Sequence, residues 1–151
     1  MTLNEHWVDG LCERYDAILF DVGNTLVEQS FPGTPLDEVT VIVLRGVVEA
    51  VAALDGRIVM GLVSNTSEMS AASIRKFLDS VDLGSPFPVI VATAELGIHK
   101  PDPAPLVEGA RQLGVDPVRC LYVGDNETDL LAATRAGMDF CFSGPDLEWI
   151  L

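Results

Sequence analysis

The sequence predicts an α/β domain in which a doubly wound parallel sheet of about five strands lies between two layers of helices. Short apolar runs alternate with helical segments along the chain, and parallel strands need crossover connections of this kind. Runs such as AILF, IVMGLV and CLYVG are continuously apolar, which is typical of strands covered on both faces. No repeat or low-complexity linker interrupts the alternation, so residues 1–151 are expected to form one domain, with residues 1–15 as an N-terminal extension.

The elements are justified in order by apolar runs and by capping residues. Strands are expected at residues 17–21, 58–64, 89–92, 120–124 and 140–142, and helices at 35–54, 67–81, 103–113 and 127–136. The start signals are polar N-caps, two of them followed by proline, namely Thr34-Pro35, Asn65 or Thr66, and Asp102-Pro103. The stop signals are two glycines, Gly114 and Gly137.

Residues 39–43 are open to two interpretations. The run is rich in β-branched residues, which favour a strand. Its place after Thr34-Pro35 and before the long run to Leu54 favours a helix. We therefore predict a helix over 35–54 and keep the strand as the alternative.

Composition excludes several classes of protein. Nine basic and twenty-three acidic residues give a formal charge of −14, which argues against nucleic acid and anionic membranes as partners. The longest stretch without a charged residue, 83–94, is far shorter than the roughly 20 residues of a membrane span. The N-terminus lacks the apolar core of a signal peptide, so a cytoplasmic location is expected. The three cysteines are widely spaced, which predicts free thiols.

Polar residues follow four of the predicted strands directly. In open parallel sheets, ligands bind beyond the carboxyl ends of the strands, where the winding direction reverses. Taken singly, each polar residue has an ordinary explanation as a turn former, a helix cap or a solvated lysine. Together they predict a shared site, built from DVGNTL at Asp21, SNT at Ser64, GIHKPDP at Lys100, and GDNETD with Asp125 and Asp129.

These four motifs, in this order, resemble those of the haloacid dehalogenase superfamily over residues 17–142. The resemblance implies that Asp21 is a nucleophile that forms an aspartyl-phosphate, a form of covalent catalysis. It implies Mg²⁺ as cofactor, since this cation takes carboxylates together with phosphate and water. The implied roles are as follows: metal ligands Asp21, Gly23 through its carbonyl, Asp125 and Asp129; catalytic residues Asp21, Lys100 and Ser64; substrate-binding residues Ser64, Asn65 and Lys100.

One residue departs from the pattern of the family's phosphatases. They carry a second aspartate two residues after the nucleophile as general acid and base, and this chain has Gly23 there. General acid–base catalysis is typically worth about 10²–10⁴-fold. The chain is therefore expected to favour substrates with good leaving groups, to borrow an acid such as His99, Glu28 or Asp129, or to bind without turnover.

The space between motifs leaves no room for a substantial cap domain. The site is thus expected to be open to solvent or covered by a second copy of the chain. We expect a Mg²⁺-dependent phosphatase acting on a small phosphorylated substrate or a phosphoprotein. The alternatives are a catalytically impaired phosphate- or partner-binding scaffold and, less consistent with the GDNETD motif, a haloacid dehalogenase.

Overall fold

The predicted parallel sheet is confirmed in a computed structural model, which describes residues 5–28 and 40–143. Its five strands lie in the order β3-β2-β1-β4-β5 and all pairings are parallel. The chain winds from β1 outward to β3 and then returns to the other side of β1, so the winding direction reverses between β1 and β4. The strands are β1 Ala17–Phe20, β2 Val59–Ser64, β3 Val89–Ala92, β4 Cys120–Gly124 and β5 Asp139–Phe142.

Helices cover both faces of the sheet. They are α1 Glu5–Arg14, α2 Val47–Leu54, α3 Ala71–Asp79, α4 Thr93–Leu96, α5 Ala104–Leu113 and α6 Glu127–Ala136, with a 3₁₀ turn at Pro117–Arg119. Alternate β1 residues enter different cores, as expected for a strand with period two. Ile18 and Phe20 pack with α1, α2 and α3, whereas Ala17 and Leu19 pack with α5 and α6. The layers therefore enclose two separate apolar cores.

The helix predicted over 35–54 is wrong for residues 40–46. Val43 pairs with Val27 in an antiparallel bridge, and α2 begins only at Val47. The backbone N–H of Leu44 donates to the Leu26 carbonyl at 2.9 Å, which fixes this segment against the turn that follows β1. Gly46, with φ +84°, redirects the chain into the helix. The Thr34-Pro35 start signal lies outside the described residues.

The other helix boundaries follow the predicted signals with one exception. Gly114 and Gly137 adopt left-handed conformations at the ends of α5 and α6, and the side chain of Asp102 accepts from the N–H of Ala104. The helix predicted over 67–81 begins at Ala71, where Ser70 is the N-cap. Asn65 and Thr66 do not cap it, because the Asn65 side chain binds the backbone of Lys100 and the Thr66 hydroxyl donates to the Met69 carbonyl.

The N-terminal extension contains a helix, α1, that contributes to the core. Val8 and Leu11 are buried in the same apolar core as Ile18 and Phe20 of β1. Arg57 forms an ion pair with Asp9 beside it. Over residues 5–28 and 40–143, no helix is long and apolar enough to cross a bilayer.

Candidate active site

Three carboxylates meet where the winding of the sheet reverses. Asp21 directly follows β1, Asp125 directly follows β4, and Asp129 lies in the first turn of α6. Strand register explains the approach, because Phe20 is level with Val123 of β4. The backbone N–H of Asp21 also donates to the Val123 carbonyl at 2.9 Å. One oxygen from each carboxylate lies within 4.8 Å of the others, a set of hard oxygen donors that fits a divalent cation such as Mg²⁺.

Lys100 is buried at the centre of the same site. Its loop lies between α4 and α5, and only 4% of the residue is exposed. The ammonium donates to Asp21 Oδ1 at 3.0 Å and to Asp129 Oδ1 at 2.8 Å. It also lies 2.7 Å from the hydroxyl of Tyr122 and 3.1 Å from the carbonyl of Val63. The lysine is thus fully engaged by oxygens of the protein.

Burial shifts the ionisation of this cluster. Desolvation raises the pKa of Asp21 from 3.8 to about 7; the Lys100 ammonium opposes the rise, and the charge of Asp129 adds to it. Burial also raises the pKa of Tyr122 well above 10, and the neighbouring Asp21 and Asp129 carboxylates add to the rise. Tyr122 is therefore a neutral hydroxyl at ordinary pH, and further positive charge beside Asp21 would favour its ionised form.

Asp129 uses both of its carboxylate oxygens within the protein. Oδ1 accepts from Lys100, and Oδ2 accepts from the backbone N–H of Asp125 at 3.2 Å. The N-cap Asn126 fixes the start of α6 by accepting from the N–H of Asp129. Gly124 is required here, because a Cβ atom would lie 2.5 Å from Asp129 Oδ2. The role of Asp129 as a metal ligand stays a prediction.

The carbonyl of Gly23 faces no hydrogen-bond donor among the described residues. Its turn is closed by the N–H of Asn24, which donates to the Val27 carbonyl, and by the N–H of Val27, which donates to Val22. Thr25, which is fully buried, lies 3.4 Å through its hydroxyl from Asp21 Oδ2. The ligand role of this carbonyl, which has no partner among the described residues, stays a prediction.

Ser64 and Asn65, at the end of β2, differ in what their side chains contact. Ser64 is 9% exposed, and its hydroxyl makes no hydrogen bond within the described part of the chain. The Asn65 amide instead binds the backbone of Lys100 from both ends, accepting from its N–H at 2.9 Å and donating to its carbonyl at 3.0 Å. Asn65 therefore holds the Lys100 loop, and a substrate contact would need its second amide proton.

Of the three proposed substitutes for the missing acid, Asp129 lies in the site beside Lys100, whereas His99 and Glu28 have no described side-chain contact with the three carboxylates. His99 is exposed, and its Nδ1 lies 2.7 Å from the hydroxyl of Thr93. Glu28 is exposed, and its backbone N–H donates to the Ile42 carbonyl. Sequence reasoning missed Tyr122 altogether, since a tyrosine within CLYVG resembles any other core residue. Its one available signal was a hydroxyl in an otherwise apolar strand, which must find a partner when buried.

Comparison with known proteins supports the same family as the motifs. The sequence profile described as "Haloacid dehalogenase-like hydrolase" matches residues 34–143. A phosphoglycolate phosphatase of Xylella fastidiosa (strain 9a5c) is 39% identical over 80 residues, which is 53% of this chain and 34% of the relative. A glyceraldehyde 3-phosphate phosphatase of Methanopyrus kandleri is 45% identical over 53 residues, covering 34% of this chain and 23% of the relative. The matched stretch thus spans about a third or less of these curated relatives.

Solved structures share the fold at lower sequence identity. An uncharacterized protein from Listeria monocytogenes serotype 4b superposes with a TM-score of 0.75 at 23% identity, covering 83% of this chain and 76% of that one. A HAD-superfamily hydrolase from Ehrlichia chaffeensis has a TM-score of 0.73 at 19% identity, covering 88% and 89% of the two chains. The profile match covers most of the chain, and the sheet, the helices and the motif order agree with it. This chain belongs to the haloacid dehalogenase-like hydrolase family.

Proposed function

We propose that this chain is a Mg²⁺-dependent phosphatase in which Asp21 attacks the phosphorus of a phosphate ester or anhydride. The observation that carries the proposal is the buried contact of Lys100 with Asp21 and Asp129, beside the half-buried carboxylate of Asp125. In-line attack requires a positioned nucleophile and neutralisation of charge around it. Lys100 holds Oδ1 of Asp21, and Oδ2, which the Thr25 hydroxyl approaches at 3.4 Å, would attack.

The residues present fit the cation that such a reaction needs. Asp21, Asp125 and the carbonyl of Gly23 would hold Mg²⁺, and Asp129 would bind it directly or through a water molecule. Bound there, the cation would neutralise phosphate charge and remove the electrostatic cost of ionising Asp21. Ser64, whose hydroxyl has no described partner, would donate a hydrogen bond to a phosphate oxygen.

The covalent step can be balanced with groups of this chain. An Asp21 oxygen forms a bond to phosphorus, and the ester oxygen leaves with the electron pair of the broken bond. Water then hydrolyses the aspartyl-phosphate, which releases phosphate and regenerates the carboxylate. Since Gly23 offers no proton to the leaving oxygen, aryl and acyl phosphates should turn over faster than alkyl phosphates.

The substrate is proposed to be small and phosphorylated, and the site to lack a cap domain. Two relatives are named for phosphoglycolate and glyceraldehyde 3-phosphate, which are small anions. The bridge between Val27 and Val43 closes a connection of only 15 residues, too short for a helical cap domain. Between Ser64 and Lys100, the elements α3, β3 and α4 occupy most of the chain.

A panel of aryl, acyl and alkyl phosphates, assayed with Mg²⁺ and with EDTA, tests the proposal. We expect Mg²⁺-dependent release of phosphate that is lost in Asp21→Asn. Absence of turnover on every class of substrate would favour the second candidate, a binding scaffold that keeps the metal frame, and the observation in its favour is Gly23. Calorimetry with Mg²⁺ and inorganic phosphate then decides whether that scaffold binds phosphate.

Restoring the missing acid gives a sharper test of the account of Gly23. Its φ is not among the positive values of the described glycines, so an aspartate can adopt the same backbone. We expect Gly23→Asp to accelerate hydrolysis of alkyl phosphates by about 10²–10⁴-fold, and that of aryl phosphates by much less. An equal effect on both classes would show that proton donation is not what the native chain lacks.

A further inference from the structure

Tyr122 is a buried polar residue to which the proposed reaction assigns no role. It lies in β4, two residues before Gly124, and is fully inaccessible to solvent. Its ring packs in the second core beneath α5 and α6, with its centroid 6.3 Å from that of Phe140. A hydroxyl at such a position costs free energy unless it is hydrogen-bonded, so its partners indicate its role.

The Tyr122 hydroxyl joins the catalytic lysine to the end of β2. The oxygen lies 2.7 Å from Lys100 Nζ, 2.9 Å from the Val63 carbonyl and 3.4 Å from Asp129 Oδ1. The ammonium is 5.3 Å from the ring centroid but only 2.7 Å from the hydroxyl oxygen, so it meets the ring at its hydroxyl end rather than over its face. The contact thus depends on the oxygen and not on the aromatic ring.

The donor and the acceptor can be assigned in each hydrogen bond that joins Lys100, Tyr122 and Val63. An ammonium has three protons and no lone pair, so it can only donate. Tyr122 must therefore accept from Lys100, and its own proton is free to go to the carbonyl of Val63. Val63 directly precedes Ser64, so the hydroxyl links the lysine to the strand that carries the predicted phosphate ligand.

We propose that Tyr122 is a positioning residue for Lys100, holding the ammonium against Asp21 through its hydroxyl. A lysine side chain is long and loses considerable rotamer freedom when it is fixed. Two carboxylates and the Val63 carbonyl also contact the ammonium, at 2.8–3.1 Å, but its shortest contact, at 2.7 Å, is with the Tyr122 hydroxyl, which is itself anchored on Val63. The consequence for turnover rests on the proposed function; the consequence for the lysine itself does not.

The composition of the chain permits a direct spectroscopic test. The chain has two lysines, Lys76 and Lys100, and two tyrosines, Tyr15 and Tyr122. In protein labelled with nitrogen-15 lysine, the buried Lys100 ammonium should give a visible proton–nitrogen signal at neutral pH. The exposed Lys76 ammonium should lose its signal to solvent exchange. Assignment is made with Lys76→Arg, which leaves the site intact.

Tyr122→Phe removes the hydroxyl and keeps the ring, and Tyr15→Phe is the matched control. Tyr15 is also buried, and its hydroxyl donates to a carboxylate, Asp139, at 2.7 Å, but it contacts none of the active-site side chains. We expect the Lys100 ammonium signal to shift or broaden beyond detection in Tyr122→Phe and to stay unchanged in Tyr15→Phe. An unchanged signal in a folded Tyr122→Phe would overturn the inference.

Kinetics form a second readout on the same proteins. Hydrogen bonds to charged groups are worth enough for a loss of about tenfold to a hundredfold in kcat in Tyr122→Phe. Tyr15→Phe should change kcat less than twofold. If the unmodified chain turns over no phosphate, the proposed function fails, while the lysine signal still decides the positioning role. If Tyr122→Phe does not fold, a nuclear Overhauser contact between the Tyr122 ring and Lys100 is sought in the unmodified protein, and its absence overturns the inference.

Discussion

The raised pKa of Asp21 predicts that this residue destabilises the metal-free protein near neutral pH. Its carboxyl group titrates at about 7 in the folded chain against 3.8 as the ordinary value, because burial outweighs the attraction of Lys100. A carboxyl group whose pKa is higher in the folded state binds protons on folding. Its contribution is therefore fully present below pH 4 and is lost as the pH rises towards 7.

The magnitude follows from linkage. Each unit of difference in pKa corresponds to about 1.4 kcal/mol, so the whole loss is about 4 kcal/mol. About 3 kcal/mol of it falls between pH 5 and pH 8. The variant Asp21→Asn carries no such proton but keeps the shape of the protonated carboxyl group. The stability of Asp21→Asn relative to the unmodified chain should therefore grow by about 3 kcal/mol over this range.

The assay is urea unfolding of both proteins in EDTA at pH 5, 6.5 and 8. Lys100, Asp125, Asp129 and Tyr122 are present in both proteins, so the comparison concerns the replacement at position 21. Asp16→Asn is the control, because an exposed ion pair with Arg119 lowers the pKa of Asp16 and its titration lies below pH 5. The Asp16→Asn difference should be flat from pH 5 to pH 8.

A difference between Asp21→Asn and the unmodified chain that stays constant or shrinks from pH 5 to pH 8 would refute the reasoning. Saturating Mg²⁺ provides a further check at pH 8. A ligand that binds only the folded protein stabilises it by mass action. A bound cation would also place a positive charge beside Asp21, which favours the ionised carboxylate. The gap between the two proteins should then close.

Two further predictions concern packing and thiol chemistry. Gly124→Ala should lower the free energy of unfolding by about 1–3 kcal/mol, since a Cβ at this position would overlap Asp129. Gly10→Ala in α1 should raise the free energy of unfolding by up to about 1 kcal/mol in the same urea titration, since a Cβ there has no atom within 4 Å. Cys120 is fully buried, and burial raises its pKa to about 11. Ellman's reagent at pH 8 should therefore leave Cys120 unlabelled until the chain unfolds, whereas the half-buried Cys12 should react in the folded protein. Labelling of Cys120 in the folded chain would contradict the burial described here.

The sheet could be predicted because its strands carry their own signal. A continuous apolar run such as CLYVG can be stable only where both faces are covered, and this property is local to the run. The segment 40–46 carried no such signal. Its non-helical conformation depends on pairing of Val43 with Val27, a contact between residues far apart in sequence. Its β-branched residues favour a strand, whereas its place after Thr34-Pro35 and before the long run to Leu54 favours a helix.

The convergence of the four motifs was predictable for a different reason. Carboxyl ends of parallel strands meet at one edge of a sheet, so that strand order alone brings Asp21 and Asp125 together. Strand order does not determine how a long side chain reaches its partners. Lys100 is expected to offset the charge of phosphate and of carboxylate, and its ammonium is enclosed by carboxylate, hydroxyl and carbonyl oxygens of the protein.

The enclosure of Lys100 changes which group must supply positive charge to a substrate. Three carboxylates and one ammonium leave the site acidic, and the chain as a whole carries a formal charge of −14. An anion approaching this edge of the sheet meets repulsion that Lys100 alone cannot offset, since its charge is already shared by Asp21 and Asp129. Under the proposed function, a divalent cation among the carboxylates would reverse that balance and at the same time favour the ionised form of Asp21. Affinity for phosphate and reactivity of Asp21 would then depend on the same ion, and this coupling would allow so acidic a chain to act on an anionic substrate.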